Sequence, residues 1–379
     1  MQMNSIAIDM VGLPQQYRKL KKELDEAVLG VMERADYING SEVKLFSNEL
    51  QDYLNVESVI PCANGTDALQ LALMTLNLKP GDEVITTAFS FIAPAEACLL
   101  LGLKPVFADI DESTFNIDCN KIEDLITPKT KALLPVHLFG QGADMIKIME
   151  IAKKYGLYVI EDNAQSLGSK FNIDGIEKKT GTIGTIGCTS FFPTKNLACF
   201  GDGGACYTND KSIAQKINML SKHGSNIKYT HEEIGINSRL DTIQAAILRV
   251  KLKYLDNFIS KRIEIANQYN TNLKNIQEIL IPEKQNGTIH TYNQYTIKVK
   301  NGKRNELQEY LKKKNVPTQI YYPSPLHKQN VFLKYSDVKY NCPIAEKVCE
   351  EVLSLPISTE LTDGQINYII ESIKSFYTQ

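Results

Sequence analysis

From about Asp52 to Asn209, short apolar runs alternate with longer stretches in which apolar residues return every three to four positions. The runs at 81–87, 104–110, 131–138, 157–163, 184–192 and 204–210 read as strands. Several are apolar throughout instead of alternating, the pattern of strands buried on both faces of a mainly parallel sheet. Residues 66–77 and 144–156 carry helical periodicity and have the length of crossovers between parallel neighbours. Thr66 is the expected N-cap of the first of these helices. After Lys211 the pattern turns to helix, loop, helix, and residues 242–273 read as one long helix able to bridge two units. Beyond it, "YNQYTIKVK", "KRNELQEYLKKKNV" and "EKVCEEVLSLP" predict a smaller α/β unit with a less apolar sheet. The chain is thus read as α/β, with a large domain over 1–250 (its N-terminal segment helical) and a small C-terminal domain over 251–379.

Composition narrows the partners. The 379 residues are 43% apolar and 23% charged, with a formal net charge of −2. That balance offers no electrostatic reason to expect nucleic acid or an anionic membrane. No apolar run approaches the roughly 20 residues of a membrane span, since Lys104 and Asp109 interrupt the best stretch. The start has no basic region followed by an apolar one, so a cytoplasmic protein is expected. Eight cysteines are scattered without a C-x-x-C pair, as reduced core residues would be, and no metal-ligand spacing appears.

Ligands of open parallel sheets sit beyond the carboxyl ends of the strands, so the polar residues there carry the chemistry. "VIEDNAQSLG" runs from apolar Ile160 directly into Glu161, Asp162, Asn163 and Gln165. A carboxylate at that point either caps the next helix or holds a cationic ring nitrogen. Asp162 lies 33 residues before Lys195, about one βαβ span, so the two can belong to neighbouring strands of one site. "CANGTDAL" places Gly65 and Thr66 at a helix N-terminus, where free N–H groups and the helix dipole suit a phosphate. Ser190, in "TSFFPTK", adds a second hydroxyl five residues before Lys195.

Lys195 itself stands between Phe191, Phe192 and Pro193 on one side and Leu197, Ala198, Cys199 and Phe200 on the other. Most lysines snorkel to solvent. An enclosed one has a lowered pKa, and only the free amine condenses with a carbonyl. A phosphate-binding helix start, a strand-end Asp, a hydroxyl and an enclosed lysine form the set expected for pyridoxal 5′-phosphate (PLP). The rival is a dinucleotide fold, because "HLFGQGADM" follows a strand and begins G-x-G. Met145 occupies the place of its third glycine, and the acids that follow belong to the better set.

These residues lie within motifs that resemble the DegT/DnrJ/EryC1/StrS nucleotide-sugar aminotransferases. The matching stretches are "ANGTDAL", "GDEVITTAFSFIAPAEA", "KPVFADID", "PVHLFGQ", "VIEDNAQSLG", "TSFFPTKNL", "GDGGA", "NSRLDTIQAAIL" and "YYPSPLHKQ", in the family's order and over nearly the whole chain. The resemblance implies a fold-type I architecture: a mostly parallel seven-stranded sheet between helices, a smaller C-terminal α/β domain, and a homodimer with active sites at its interface. It implies that Lys195 bears the Schiff base and shuttles the proton, and that Asp162 pairs with the pyridine nitrogen. Gln165 would meet the ring, Phe91 would stack on it, and Gly65, Thr66 and Ser190 would hold the phosphate, with Asn237 arriving from the partner subunit. Some relatives carry histidine in place of the lysine and dehydrate sugars, so Lys195 points to transamination. The motifs are most similar to enzymes that aminate C3 of UDP-2-acetamido-2-deoxy-3-keto-D-glucuronate with L-glutamate. For that sugar Arg239 would bind the carboxylate, or else serve as an interface ion-pair partner, while Tyr321 and Tyr322 would face the nucleotide sugar. Those enzymes have His-Tyr-Pro where this chain has Tyr321-Tyr322-Pro323. Amination of another keto sugar, or a non-catalytic binding protein on the same fold, stays open.

Overall fold

The computed structural model describes residues 8–173, 175–335 and 340–378. Nine strands lie in the first part of the chain: β1 (Ser58–Cys62), β2 (Glu83–Thr87), β3 (Lys104–Ala108), β4 (Thr130–Leu134), β5 (Tyr158–Asp162), β6 (Lys170–Ile173), β7 (Ile176–Lys179), β8 (Ile186–Ser190) and β9 (Gly204–Thr208). Seven of them form the central sheet, in the order β1-β9-β8-β5-β4-β2-β3. β9 is antiparallel to both neighbours and the other six strands run the same way. Neighbouring residues on these strands enter opposite cores. Val84 and Ile160 face the layer of α3 (Gly65–Thr75), α4 (Ala93–Leu100) and α6 (Lys211–Leu220). Ile85 and Val159 face the layer of α5 (Met145–Tyr155). Burial on both faces explains why these runs show no polar alternation.

Three expectations about elements change. The cap of α3 is Asn64, whose side chain accepts the Asp67 N–H at 2.8 Å, and Thr66 lies within the first helical turn. The run at 131–138 is regular strand to Leu134 and keeps a bridge from Val136 to Asp162, after which Leu138–Gly140 form a short 3-10 turn with Phe139 at φ +58°. The stretch 242–273 is two helices, α7 (Thr242–Leu252) and α8 (Leu255–Leu273). At the break the Tyr254 N–H turns to the Lys251 carbonyl, one residue short of the helical partner. The Tyr254 hydroxyl also donates to Glu23, tying the kink to α1 (Leu13–Arg34).

The two ends of α8 serve different cores. Leu255 and Ile259 pack with β9 and with α2 (Ser41–Leu54), whereas Ile265, Tyr269 and Leu273 pack with a second, three-stranded sheet. That sheet has the order β10-β12-β13, from β10 (Ile279–Leu280), β12 (Tyr295–Val299) and β13 (Val352–Leu355), while β11 (Thr288–Ile289) pairs with β6. Ile8 belongs to the same C-terminal core. The Asp109 carboxylate, just past β3, accepts the Ile344 and Ala345 N–H groups at 2.9 and 2.8 Å. It thereby caps the helix Pro343–Glu351 and docks the C-terminal unit over the carboxyl ends of the sheet. Leu326 and Tyr322 are drawn into the apolar cluster there with Phe89 and Phe139. All eight cysteines are buried and unpaired. No helix among the described residues is long and apolar enough to cross a membrane.

Candidate active site

The site starts from strand register. Gly204 pairs with Cys62 on one side and Ser190 on the other, and Cys188 pairs with Asp162. The carboxyl ends of β1, β8 and β5 therefore lie together, carrying the first turn of α3, Ser190 and Asp162. Two glycines let them close up. A Cβ on Gly65 would stand 2.7 Å from the Ser190 Cβ, and one on Gly204 would stand 2.4 Å from the Asn64 carbonyl oxygen. With no side chain on either glycine, the first turn of α3, which carries Thr66, comes up against Ser190 at the end of β8. The Ser190 hydroxyl accepts the Phe192 N–H at 3.2 Å.

Lys195 hangs on a loop fixed at both ends. Phe191 N–H donates to the Gly203 carbonyl at 2.7 Å, Cys199 N–H to the Phe191 carbonyl at 2.8 Å, and Lys195 N–H to the Phe192 carbonyl at 2.9 Å. The next residue, Asn196, donates to the Leu167 carbonyl and the Thr291 hydroxyl. The expected aromatic enclosure is half present. Phe191 is buried edge-on against Phe46 and residues 196–199 are buried in a row, but Phe192 and Phe200 at the two ends of the loop are 49% and 45% exposed. Burial nevertheless holds the Lys195 amine below the ordinary lysine range, with the Asp162 carboxylate opposing that shift. Asp162 is pushed up by burial, and the Ala164 N–H, Lys195 and His137 act against it. Lys195 and Asp162 thus lie near enough for each charge to act on the other, an arrangement that the 33-residue spacing allows.

Gln165 is held at both ends: its Oε1 accepts the Phe139 N–H at 2.8 Å, and its Nε2 donates to the Tyr322 hydroxyl at 3.0 Å. Phe91 is 56% exposed, its ring 6.5 Å from that of Tyr322, and so offers an open aromatic face. Asn237 and Arg239 lie elsewhere. With Ala63, Asn64, Asp202, Asp241 and Gln244 they line a separate cavity of about 500 Å³ that includes neither Lys195 nor Asp162. Ser238, between them, accepts the Ala63 N–H at 3.1 Å, so the segment is pinned to the outer side of the α3 entrance. Among the described residues no cluster able to hold a metal ion occurs.

Comparison with known proteins decides what this arrangement is. Residues 18–374 match the DegT/DnrJ/EryC1/StrS aminotransferase family. The chain belongs to that family. It is 45% identical to the "Pleiotropic regulatory protein" of Geobacillus stearothermophilus over 98% of both chains. It is 42% identical to the UDP-2-acetamido-2-deoxy-3-oxo-D-glucuronate aminotransferase of Pseudomonas aeruginosa, over 97% of this chain and 99% of that one. The crystal structure of NtdA from Bacillus subtilis with bound cofactor PMP superimposes with a TM-score of 0.91 at 32% identity, covering 100% of this chain and 87% of that one. The chain is an aminotransferase, and the cofactor of this family is PLP.

The residues present fit that cofactor. An amine kept below its usual pKa suits condensation with an aldehyde, and a strand-end carboxylate beside it suits a protonated pyridine. The side-chain-free approach of Gly65 to Ser190 leaves a cradle of N–H and hydroxyl donors for a phosphate. The sequence reading gave no role to His137 or Glu161, both fully buried behind Asp162. The signal was the consecutive pair Glu161–Asp162 on a strand, where two adjacent acids must face opposite sides.

Proposed function

We propose that this aminotransferase carries an amino group from L-glutamate to the C3 keto group of a UDP-linked 2-acetamido-2-deoxy-3-keto-hexuronate, on the way to an amino sugar of a surface polysaccharide. The observation that carries the uronate is Arg239, a half-buried guanidinium whose cavity mate Asn237 is two residues away. A guanidinium fork matches a carboxylate with two parallel N–H groups. The Pseudomonas relative, named for a 3-oxo-glucuronate, supports the same sugar class.

Bound PLP supplies an electron sink for the pair released when an α-proton leaves. Lys195 Nζ anchors the cofactor, takes that proton once freed, and returns it at the adjoining carbon. Asp162 holds the proton of the ring nitrogen. The first turn of α3, Thr66 and Ser190 bind the phosphate, completed by Asn237 of a second subunit in a homodimer. Phe91 covers the ring, Gln165 meets its edge, and Tyr321 and Tyr322 face the nucleotide sugar.

Tyr321, where the uronate enzymes have histidine, favours a second reading: the same chemistry on a dTDP-linked 3-keto-6-deoxyhexose. Parallel assays of the two ketoses with glutamate separate them. The expected result is faster turnover of the uronate, with Arg239→Ala lowering its kcat/KM about 100-fold and that of the neutral sugar far less. Equal losses on both sugars would remove the carboxylate role. A protein that stays colourless with added PLP, with no cofactor trapped on Lys195 by borohydride, would instead support a non-catalytic role.

A further inference from the structure

Glu161 and His137 are both without solvent exposure. Four donors converge on the Glu161 carboxylate. Oε2 takes the Gly181 N–H at 2.7 Å and His137 Nε2 at 2.8 Å, while Oε1 takes the Ile183 N–H at 2.7 Å and the Gly184 N–H at 2.5 Å. On its other side the His137 ring accepts the Ala143 N–H at Nδ1, at 3.0 Å. Since Nδ1 accepts, Nε2 carries the proton given to Glu161; the tautomer follows from the bonding pattern. The imidazole therefore closes the loop 137–143 on itself and fastens it to the far face of β5.

Two consequences reach the cofactor side. The His137 main-chain N–H donates to the Asp162 carbonyl at 3.0 Å, and the Asp162 N–H donates to the Pro135 carbonyl at 2.9 Å. Within the closed loop, Phe139 holds a left-handed conformation, followed by Gly140 at φ +107°. In that conformation it turns its N–H onto Gln165 Oε1. A Cβ on Gly140 would stand 2.8 Å from the main-chain nitrogens of both Tyr292 and Asn293, so the loop has little room to relax on its other side. Gln165 is thus held through the loop that the His137 side chain closes, while the His137 main chain ties the same loop to Asp162.

We propose that the His137 imidazole is a positioning residue for the cofactor ring, acting by closing the 137–143 loop through its Ala143 bond so that Phe139 holds Gln165 beside Asp162. The role rests on the PLP site described above and not on the identity of the sugar. The titratable groups that face Glu161 and His137 are Asp162, Cys188 and Tyr207, with Lys195 across Asp162 and Tyr322 beyond Gln165.

Two substitutions divide the arms of the imidazole. In His137→Asn the side-chain oxygen stands where Nδ1 stood, so the Ala143 bond is kept and the Glu161 bond lost. In His137→Gln the amide nitrogen stands where Nε2 stood, so the Glu161 bond is kept and the Ala143 bond lost. The measurements are the PLP dissociation constant, the pH midpoint of the visible absorption band of the loaded enzyme, and the melting temperature. His137→Gln is expected to weaken PLP binding about tenfold, the size of one buried hydrogen bond, and to move the midpoint. His137→Asn should retain near wild-type values for both, even where the two variants melt at the same lowered temperature. A lowered melting temperature with unmoved affinity and midpoint, or equal displacement by the two variants, would overturn the positioning role. Wild-type protein that fails to bind PLP would overturn the cofactor site itself, and this role with it.

Discussion

Lys195 and Asp162 show how a site is carried at a cost to the fold around it. Burial lowers the lysine and raises the aspartate, so each charged form is disfavoured where it stands. The sign of the lysine contribution follows from proton binding. Between its lowered folded pKa and the ordinary 10.5, the unfolded chain binds more protons, so stability rises with pH across that window. Below it the full cost applies. Lys195→Met should therefore raise the melting temperature of the cofactor-free protein at neutral pH by about 1 °C for each kcal/mol relieved in a chain of this length. The gain should shrink as the pH approaches 10.5, while transamination falls by a factor of about 10³ or more. Thermal scans of the two proteins from pH 7 to 10.5 check this; a variant that melts lower than wild type at neutral pH would show that the amine is not strained. The neighbours of Lys195 were only partly readable. "TSFFPTKNLACF" marks an apolar loop, yet it cannot say which phenylalanines turn inward, because that depends on Phe46 in a helix nearly 150 residues earlier.

At the scale of elements, α3 and the strand ends beneath it make the proposed phosphate cradle, and its tightness gives a prediction opposite to helix propensity. Replacing glycine with alanine in a helix ordinarily stabilises it by up to about 1 kcal/mol. At Gly65 the new Cβ would meet Ser190 at 2.7 Å, forcing α3 away from β8. Gly65→Ala should weaken PLP binding about tenfold, read by fluorescence or equilibrium dialysis, through overpacking; unchanged or tighter binding would place the phosphate elsewhere. The elements that make this cradle were largely legible, since strands buried on both faces declare themselves as apolar runs. Less legible was whatever depends on a distant partner. Thr66 and Asn64 are both good caps, and the choice falls to Asn64 only because the turn leaving β1 starts the helix at Gly65. The break at Tyr254 has no glycine or proline to announce it; a hydrogen bond to Glu23 and two separate cores place it there. Glu161 and His137 escaped because a buried ion–imidazole pair shares no sequence spacing, only the adjacency of β4 and β5.

In the molecule as a whole, the proposed cofactor residues and the segment bearing Asn237 and Arg239 line different spaces within one chain, and this separation is what the proposed homodimer would bridge. Asn237 is exposed and lines a cavity without Lys195, which suits the proposed homodimer in which it serves the phosphate site of a second copy. A two-fold dimer supplies that geometry twice, each chain giving Asn237 to the other's site. The arrangement can be tested without knowing the sugar's identity, by using a glutamate half-reaction on the loaded enzyme. Lys195→Ala and Asn237→Ala proteins are each impaired in both sites of their own homodimers. When they are unfolded together and refolded as mixtures, random pairing makes about half the dimers mixed. If each site draws Lys195 from one chain and Asn237 from the other, a mixed dimer has one doubly altered site and one wild-type site. About a quarter of wild-type activity should then appear on top of the residual activity of the two impaired parents. If Asn237 serves the Lys195 of its own chain, every site in the mixture carries one lesion, and nothing returns.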